Sequence, residues 1–172
     1  MTNLSPTKDT LSSIENNVVE RNNRKRLKEL GAIKPTLFII RGVNGSGKTS
    51  LARRVCPSRT VSDTDYFQRE ADKKDDSYKN IYEESQDIHA YNFCLFKVEE
   101  WMQADPTTDI CVANPFTEKD QFFPYINLAD EYGFQVSVIR CENYFGSTHA
   151  IKGKEISKQY RELKKVFRWT GH

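Results

Sequence analysis

Residues 36–55 read Thr36-Leu-Phe-Ile-Ile-Arg41-Gly42-Val-Asn44-Gly45-Ser46-Gly47-Lys48-Thr49-Ser50-Leu-Ala-Arg-Arg-Val55. Thr36–Arg41 is a short apolar run closed by Pro35 and Gly42. That length and those flanks describe a buried strand better than a helix. Gly42–Thr49 matches G-x-x-x-x-G-K-[ST], and a helical pattern follows it from Gly47 to Cys56. Strand, glycine-rich loop and helix in that order make a phosphate-binding loop. Gly42, Gly45 and Gly47 permit backbone angles and approaches that a Cβ would block. Successive N–H groups can then face inward around phosphate oxygens, beside the positive end of the helix. Lys48 brings a point charge to the β- and γ-phosphates, and the Thr49 hydroxyl is an oxygen ligand for Mg²⁺. The nucleotide-binding set read here is Gly42, Asn44, Gly45, Ser46, Gly47, Lys48, Thr49 and Ser50.

Outward from the loop, strand and helix patterns alternate. Strands are expected at Arg59–Ser62, Asp109–Ala113 and Phe134–Arg140. Helices are expected at Ser77–Met102, Glu118–Tyr132 (ended by Gly133) and Lys154–Arg168. Such alternation points to an α/β fold, a doubly wound parallel sheet between two helical layers, here of the P-loop NTPase kind. Residues 1–17 are polar and rich in Ser, Thr and Asn, and residues 18–30 look helical and basic, with Gly31 and Pro35 closing the segment. The expected division is a polar tail and basic helical extension over 1–34 and a P-loop kinase-like domain over 35–172.

The 172 residues suit one domain. Lys and Arg number 26 against 24 Asp and Glu, so the net charge of +2 gives little reason to expect a polyanion partner. Basic residues cluster locally, at Arg21–Lys28 and from Lys152 to Arg168, and either cluster is a nucleic-acid contact or a solvated helix face. No run nears the roughly 18 apolar residues of a membrane span, and no secretory leader is evident. Cys56, Cys94, Cys111 and Cys141 form no C-x-x-C pair, so no structural metal is expected; Cys111 and Cys141 read as small buried hydrophobes. A soluble, cytoplasmic, ATP- and Mg²⁺-dependent protein is the expectation.

GTP-binding switches carry N-K-x-D, and Thr117-Glu-Lys-Asp120 lacks the Asn. Motor and AAA-type ATPases are usually longer and act with partner subunits, so a compact kinase is the better fit. Val61-Ser-Asp63-Thr-Asp65-Tyr66-Phe67 sharpens this reading. Ligands of open α/β sheets bind at the carboxyl ends of strands, where Asp63 and Asp65 are expected. A kinase needs one carboxylate to take the acceptor proton and gains from another near Mg²⁺.

The P-loop, then VSDTDYF, a helix holding Asp87-Ile-His89, ICVANPFT, and PYINLADEYGFQVSVIRCE together resemble the polynucleotide kinase family and related P-loop kinase domains of phages and of animal ubiquitin-ligase-binding proteins. The likeness covers about residues 36–167. It implies transfer of the ATP γ-phosphate to a hydroxyl of a nucleic acid or nucleotide, by default the 5′-hydroxyl of a polynucleotide. A hydroxymethylated base in phage DNA is another acceptor it suggests, with the protein then acting in the host cytoplasm. The family's D-D-Y element places Thr64 at its first Asp, between Asp63 and Asp65. Small-metabolite kinases such as shikimate kinase carry a similar D-x-D with the second Asp at the acceptor. On that basis Asp65 is expected as base and Asp63 beside Mg²⁺, with either able to serve. Lys48, Asp63 and Asp65 are thus the expected catalytic residues, and Thr49 and Asp63 the metal ligands. The family's acid after the third strand is replaced by Ala113, leaving Asn114, and its lid Arg is absent from Gly146-Ser-Thr-His149. Candidates for the acceptor side and lid are His89, Asn114, His149, Lys152, Lys154 and Arg161. Tyr144 and Phe145 are candidates for nucleobase contact. The two departures also motivate a nucleotide-dependent binding module without turnover, and a small-metabolite kinase is a further alternative.

Overall fold

The computed structural model describes residues 19, 22–23, 26–76, 87–146 and 153–164. Four strands, β1 (Thr36–Gly42), β2 (Thr60–Val61), β3 (Ile110–Asn114) and β4 (Gln135–Cys141), form one sheet in the order β2-β3-β1-β4. All three pairings are parallel, with Leu37 opposite Ile110 and Val136. Five helices connect or flank them: α1 (Lys48–Val55), α2 (Asp63–Lys74), α3 (Asp87–Ala104), α4 (Phe123–Glu131) and α5 (Gly153–Lys164).

Alternation along β1 decides the layering, because successive side chains of a strand point to opposite faces. Leu37 and Ile39 join Ile110, Val112, Cys94, Val98, Met102, Tyr125 and Ala129 in a core under α3 and α4. Ile40 joins Ala52, Cys56, Cys111 and Ala113 in a second core under α1, with Phe38 and Ile139 beside it. β1 and β3 are therefore buried on both faces, as their unbroken apolar character requires. The three-layer doubly wound architecture expected from the sequence is present. The Cys56 and Cys111 sulfurs lie 2.9 Å apart in the second core, both as free thiols.

Several boundaries differ from the sequence reading. The expected strand Arg59–Ser62 is only Thr60–Val61, and a helix starts directly after it. The start is a capping box: the Ser62 N–H and hydroxyl both donate to Asp65 Oδ2, at 2.7 and 2.9 Å. The Asp63–Asp65 segment is thus the first turn of α2 rather than a strand-end loop. The expected helix Glu118–Tyr132 is split into a 3₁₀ turn, Lys119–Gln121, and α4. Pro124 explains the restart, since it is tolerated only in the first turn of a helix. Of the expected helix Ser77–Met102, residues 77–86 lie outside the described residues, and α3 runs two residues further to Ala104. Residues 165–168 of the expected last helix also lie outside them.

Lys28, part of the basic N-terminal cluster, is buried and ion-paired with Asp109. Asp109 also accepts from the Thr36 N–H at 2.7 Å, which joins the segment before β1 to the entry of β3. At the far end of α3, Arg59 donates to the carbonyls of Trp101 (2.7 Å) and Asp105 (3.1 Å) and pairs with the Asp105 carboxylate. Asp105 in turn accepts from Thr107 and Thr108. Burial raises the Asp105 pKa, but the hydrogen bonds from Thr107 and Thr108 outweigh it and hold the carboxyl at about 2. The folded pKa lies below the free value of about 3.9, so this stabilisation is present above pH 4 and is lost as pH falls toward 2. We expect Asp105→Asn to cost about 1–2 kcal/mol at neutral pH. Urea denaturation at a series of pH values should show the variant losing less stability than the parent between about pH 4 and 2.

Candidate active site

β1 ends at Gly42, and the chain turns through Val43–Gly47 into α1. A Cβ on Gly42 would stand 2.6 Å from both the Cys141 carbonyl oxygen and Ser46 Oγ, so backbone contact forbids a side chain there. Gly47, the N-cap of α1, has φ +83, a left-handed value that glycine adopts without strain. The loop wraps the carboxyl edge of the sheet and leaves a cavity of about 880 Å³. Asn44–Ser50, Asp63, Thr64, Cys141 and Phe145 are among its walls. The phosphate-loop residues assigned from the sequence thus line one space, apart from Gly42, whose role is in the turn beneath it.

Lys48 is 7% exposed. Its ammonium donates to the Val43 carbonyl at 2.9 Å. Burial lowers its pKa, while Asp63 and Cys141 act to raise it. The Ser46 hydroxyl is also buried and has no hydrogen-bond partner among the described residues. A buried cation and an unsatisfied hydroxyl in a glycine turn at a helix N-terminus suit a polyphosphate. Phe145 donates its N–H to the Gly45 carbonyl at 2.9 Å, and its ring lies where a Cβ on Gly47 would meet it at 3.2 Å. The ring itself is 75% exposed, which leaves a free face at the cavity wall.

A second cavity of about 260 Å³ adjoins the first, and both are lined by Asn44 and Asp63. Phe67, Tyr91, Asn114, Phe116 and Glu118 supply one side and Glu155, Lys158, Gln159 and Glu162 of α5 the other. Positions 155, 158, 159 and 162 fall on one helical face by the three- and four-residue spacing. The buried Gln159 accepts from the Asn44 N–H at 3.0 Å and ties that face to the phosphate loop. Tyr160 donates to the Glu142 carbonyl at 2.9 Å, which fixes α5 to the end of β4. Phe116 holds φ +45 while buried, an outlier for a bulky side chain that marks the loop after β3 as strained.

Asp63 lines both cavities. Its N–H donates to Asn114 Oδ1 at 2.7 Å, so the side chain at the end of β3 anchors the first turn of α2. Asp65, the residue the sequence suggested as base, has another position. One of its oxygens caps Ser62 and the other pairs with Arg53 at 3.1 Å, and it lines neither cavity. Ala113, where the polynucleotide kinase resemblance implied an acid, stands at the cavity wall. His89 is exposed on α3 and lines a separate groove with Tyr66, Phe93 and Lys97. Lys154 and Arg161 are exposed on α5 and line neither cavity. His149 and Lys152 lie outside the described residues. Glu118, Glu155, Gln159 and Glu162 were missed by the sequence reading. The signal for three of them is the 155-158-159-162 spacing, which places them on one face of the helix expected there.

A family model described as an AAA domain matches residues 37–143, more than half of the chain. The chain belongs to this AAA domain family. The matched span of this AAA domain opens inside β1 and runs just past β4, so it contains the phosphate-binding loop, Asp63 and Asn114. The domain is a P-loop nucleotide-binding domain. No curated protein matches the chain. No helix among the described residues is long and apolar enough to cross a membrane.

Two outcomes follow for this domain. Magnesium ATP at a hundred times its Kd should raise stability by about 2.7 kcal/mol, read as a thermal shift, and Lys48→Ala should abolish the shift. Gly42→Ala should cost about 1–3 kcal/mol by urea denaturation and weaken nucleotide binding, because the loop must move away from Cys141.

Proposed function

We propose that the protein is an ATP-dependent phosphotransferase that moves the γ-phosphate of ATP to an alcohol. The observation that carries this reading is Asp63, a carboxylate on the wall shared by the phosphate-loop cavity and the second cavity. A phosphoryl group held by the loop and a hydroxyl in the second cavity would meet at that wall. The acceptor oxygen attacks the γ-phosphorus as the bond to the β-phosphate oxygen breaks, and ADP leaves. Asp63 takes the acceptor proton, a role its position suits better than that of Asp65, which lines neither cavity. Lys48 and the helix dipole of α1 hold the phosphates in line, so catalysis is positioning and charge stabilisation. With Asp63 acting as base, the Thr49 hydroxyl is the oxygen donor that would help hold Mg²⁺, whose preference for oxygen ligands it fits. When bound, that ion neutralises charge on the transferring phosphoryl group.

The exposed face of the Phe145 ring at the cavity wall supports a role in stacking on the base of the nucleotide. The acceptor that the polynucleotide kinase resemblance implies is a 5′-hydroxyl of a nucleic acid, with a hydroxymethylated base as its variant. Ala113, in the place of an acid, favours one competing reading, a module that binds nucleotide without turnover.

Labelled-ATP transfer to 5′-hydroxyl oligonucleotides, hydroxymethylated DNA and small alcohols is the deciding assay. Turnover should fall about 10²–10⁴-fold in Asp63→Asn while the ATP thermal shift persists. ATP binding without transfer to any acceptor would favour the binding module instead. Phe145→Ala should weaken ATP about 5- to 100-fold, measured by titration calorimetry.

A further inference from the structure

The second cavity says more about the acceptor than the phosphate loop does. Among the described residues its ionisable walls are Asp63, Glu118, Glu155 and Glu162 against Lys158. They come from three separate elements: the first turn of α2, the loop after β3, and α5. No hydrogen bond or ion pair engages Glu155, Lys158 or Glu162 among the described residues. Even with Asp63 committed to the donor side, three carboxylates face one ammonium. The 5′ end of a polynucleotide would carry its own phosphodiesters into this space, like charge against like charge. The cavity of about 260 Å³ is also smaller than the roughly 300–1,000 Å³ typical of drug-sized ligands.

The rest of the lining has the opposite preference. Phe67, Tyr91 and Phe116 are also among the lining residues; Phe67 and Phe116 are almost fully buried, so the half-buried Tyr91 is the aromatic side chain of the three that the space can reach. Carboxylates and an aromatic ring around a small space attract organic ammonium groups by the same electrostatics. The tie from Gln159 to Asn44 holds the acidic face of α5 beside the phosphate loop.

We propose that the acceptor is a small alcohol bearing an ammonium group, recognised by Glu155 and Glu162 and by Tyr91, with its hydroxyl turned toward Asp63. This rests on the phosphotransferase reading for the fate of the hydroxyl, but the binding step can be measured without it.

Choline and 3,3-dimethyl-1-butanol have the same shape and differ in charge. Saturation-transfer NMR and calorimetric titration of the full chain with each compound test the recognition directly. Choline should bind on the order of tenfold more tightly than its neutral twin. The double variant Glu155→Gln, Glu162→Gln should remove that preference while keeping the ATP thermal shift as evidence of folding. Equal binding of the two compounds, no binding of choline at millimolar concentration, or an unchanged preference in the variant would overturn the proposal. Phosphorylation of an oligonucleotide that choline fails to inhibit would also overturn it and would leave the kinase reading standing. Absence of any ATP shift would sink the kinase reading alone, because the choline comparison decides the pocket without nucleotide.

Discussion

A single ammonium group, that of Lys48, sets the terms for the rest of the site. Taking such a group out of water costs several kcal/mol unless partners replace the lost hydration. Here the partners are the Val43 carbonyl at 2.9 Å and the nearby Asp63. Both depend on the path of the chain at the end of β1. Gly42 must pass against Cys141, and Gly47 must take a left-handed turn, before α1 can start at Lys48 itself. The parallel sheet serves this constraint: β3 and β4 flank β1 and bring Asn114 and Cys141 alongside Arg41 and Gly42. A triphosphate would supply the charge that the buried ammonium lacks, which links nucleotide binding to stability in this domain.

Around that centre, the polar groups divide into those that build and those that face the cavities. Asn114 and Asp65 each hold the start of α2, one through the Asp63 N–H and the other through Ser62. Their work leaves Asp63 as the carboxylate common to the two cavities. The loop after β3 is strained at Phe116 and braced from behind by the buried Arg41, whose guanidinium lies 5.6 Å over the Phe122 ring. The strain is local and sits at the acceptor side, where an unusual backbone is most often found in functional proteins.

The phosphate loop was legible from the sequence because its function is carried by backbone, and glycine spacing records backbone directly. Strand and helix alternation was legible because burial on two faces leaves an apolar run that no other placement explains. The Asp-x-Asp element was harder. Two carboxylates two residues apart read alike in sequence, yet a capping box turns one into a helix anchor and leaves the other at the cavity wall. The signal was the Ser62…Asp65 spacing, which is itself a helix-start signature. His89 shows the converse: a residue matched by family resemblance points away from the site, because its helix turns Tyr91 and Ala90 toward the cavity instead.

What the sequence determined alone was the donor half: a loop of fixed spacing, a lysine and a threonine that follow it, and the layered sheet that presents them. The loop, the lysine and the threonine lie within some twenty residues of one another, so chain geometry fixes them before any long-range packing is known, and the sheet was legible from its apolar runs. The acceptor half was decided by tertiary structure. Its walls come from α2, the loop after β3, and α5, which meet only when Gln159 reaches Asn44 across more than a hundred residues. The charge of that space is a sum over distant segments, and no window of sequence contains it.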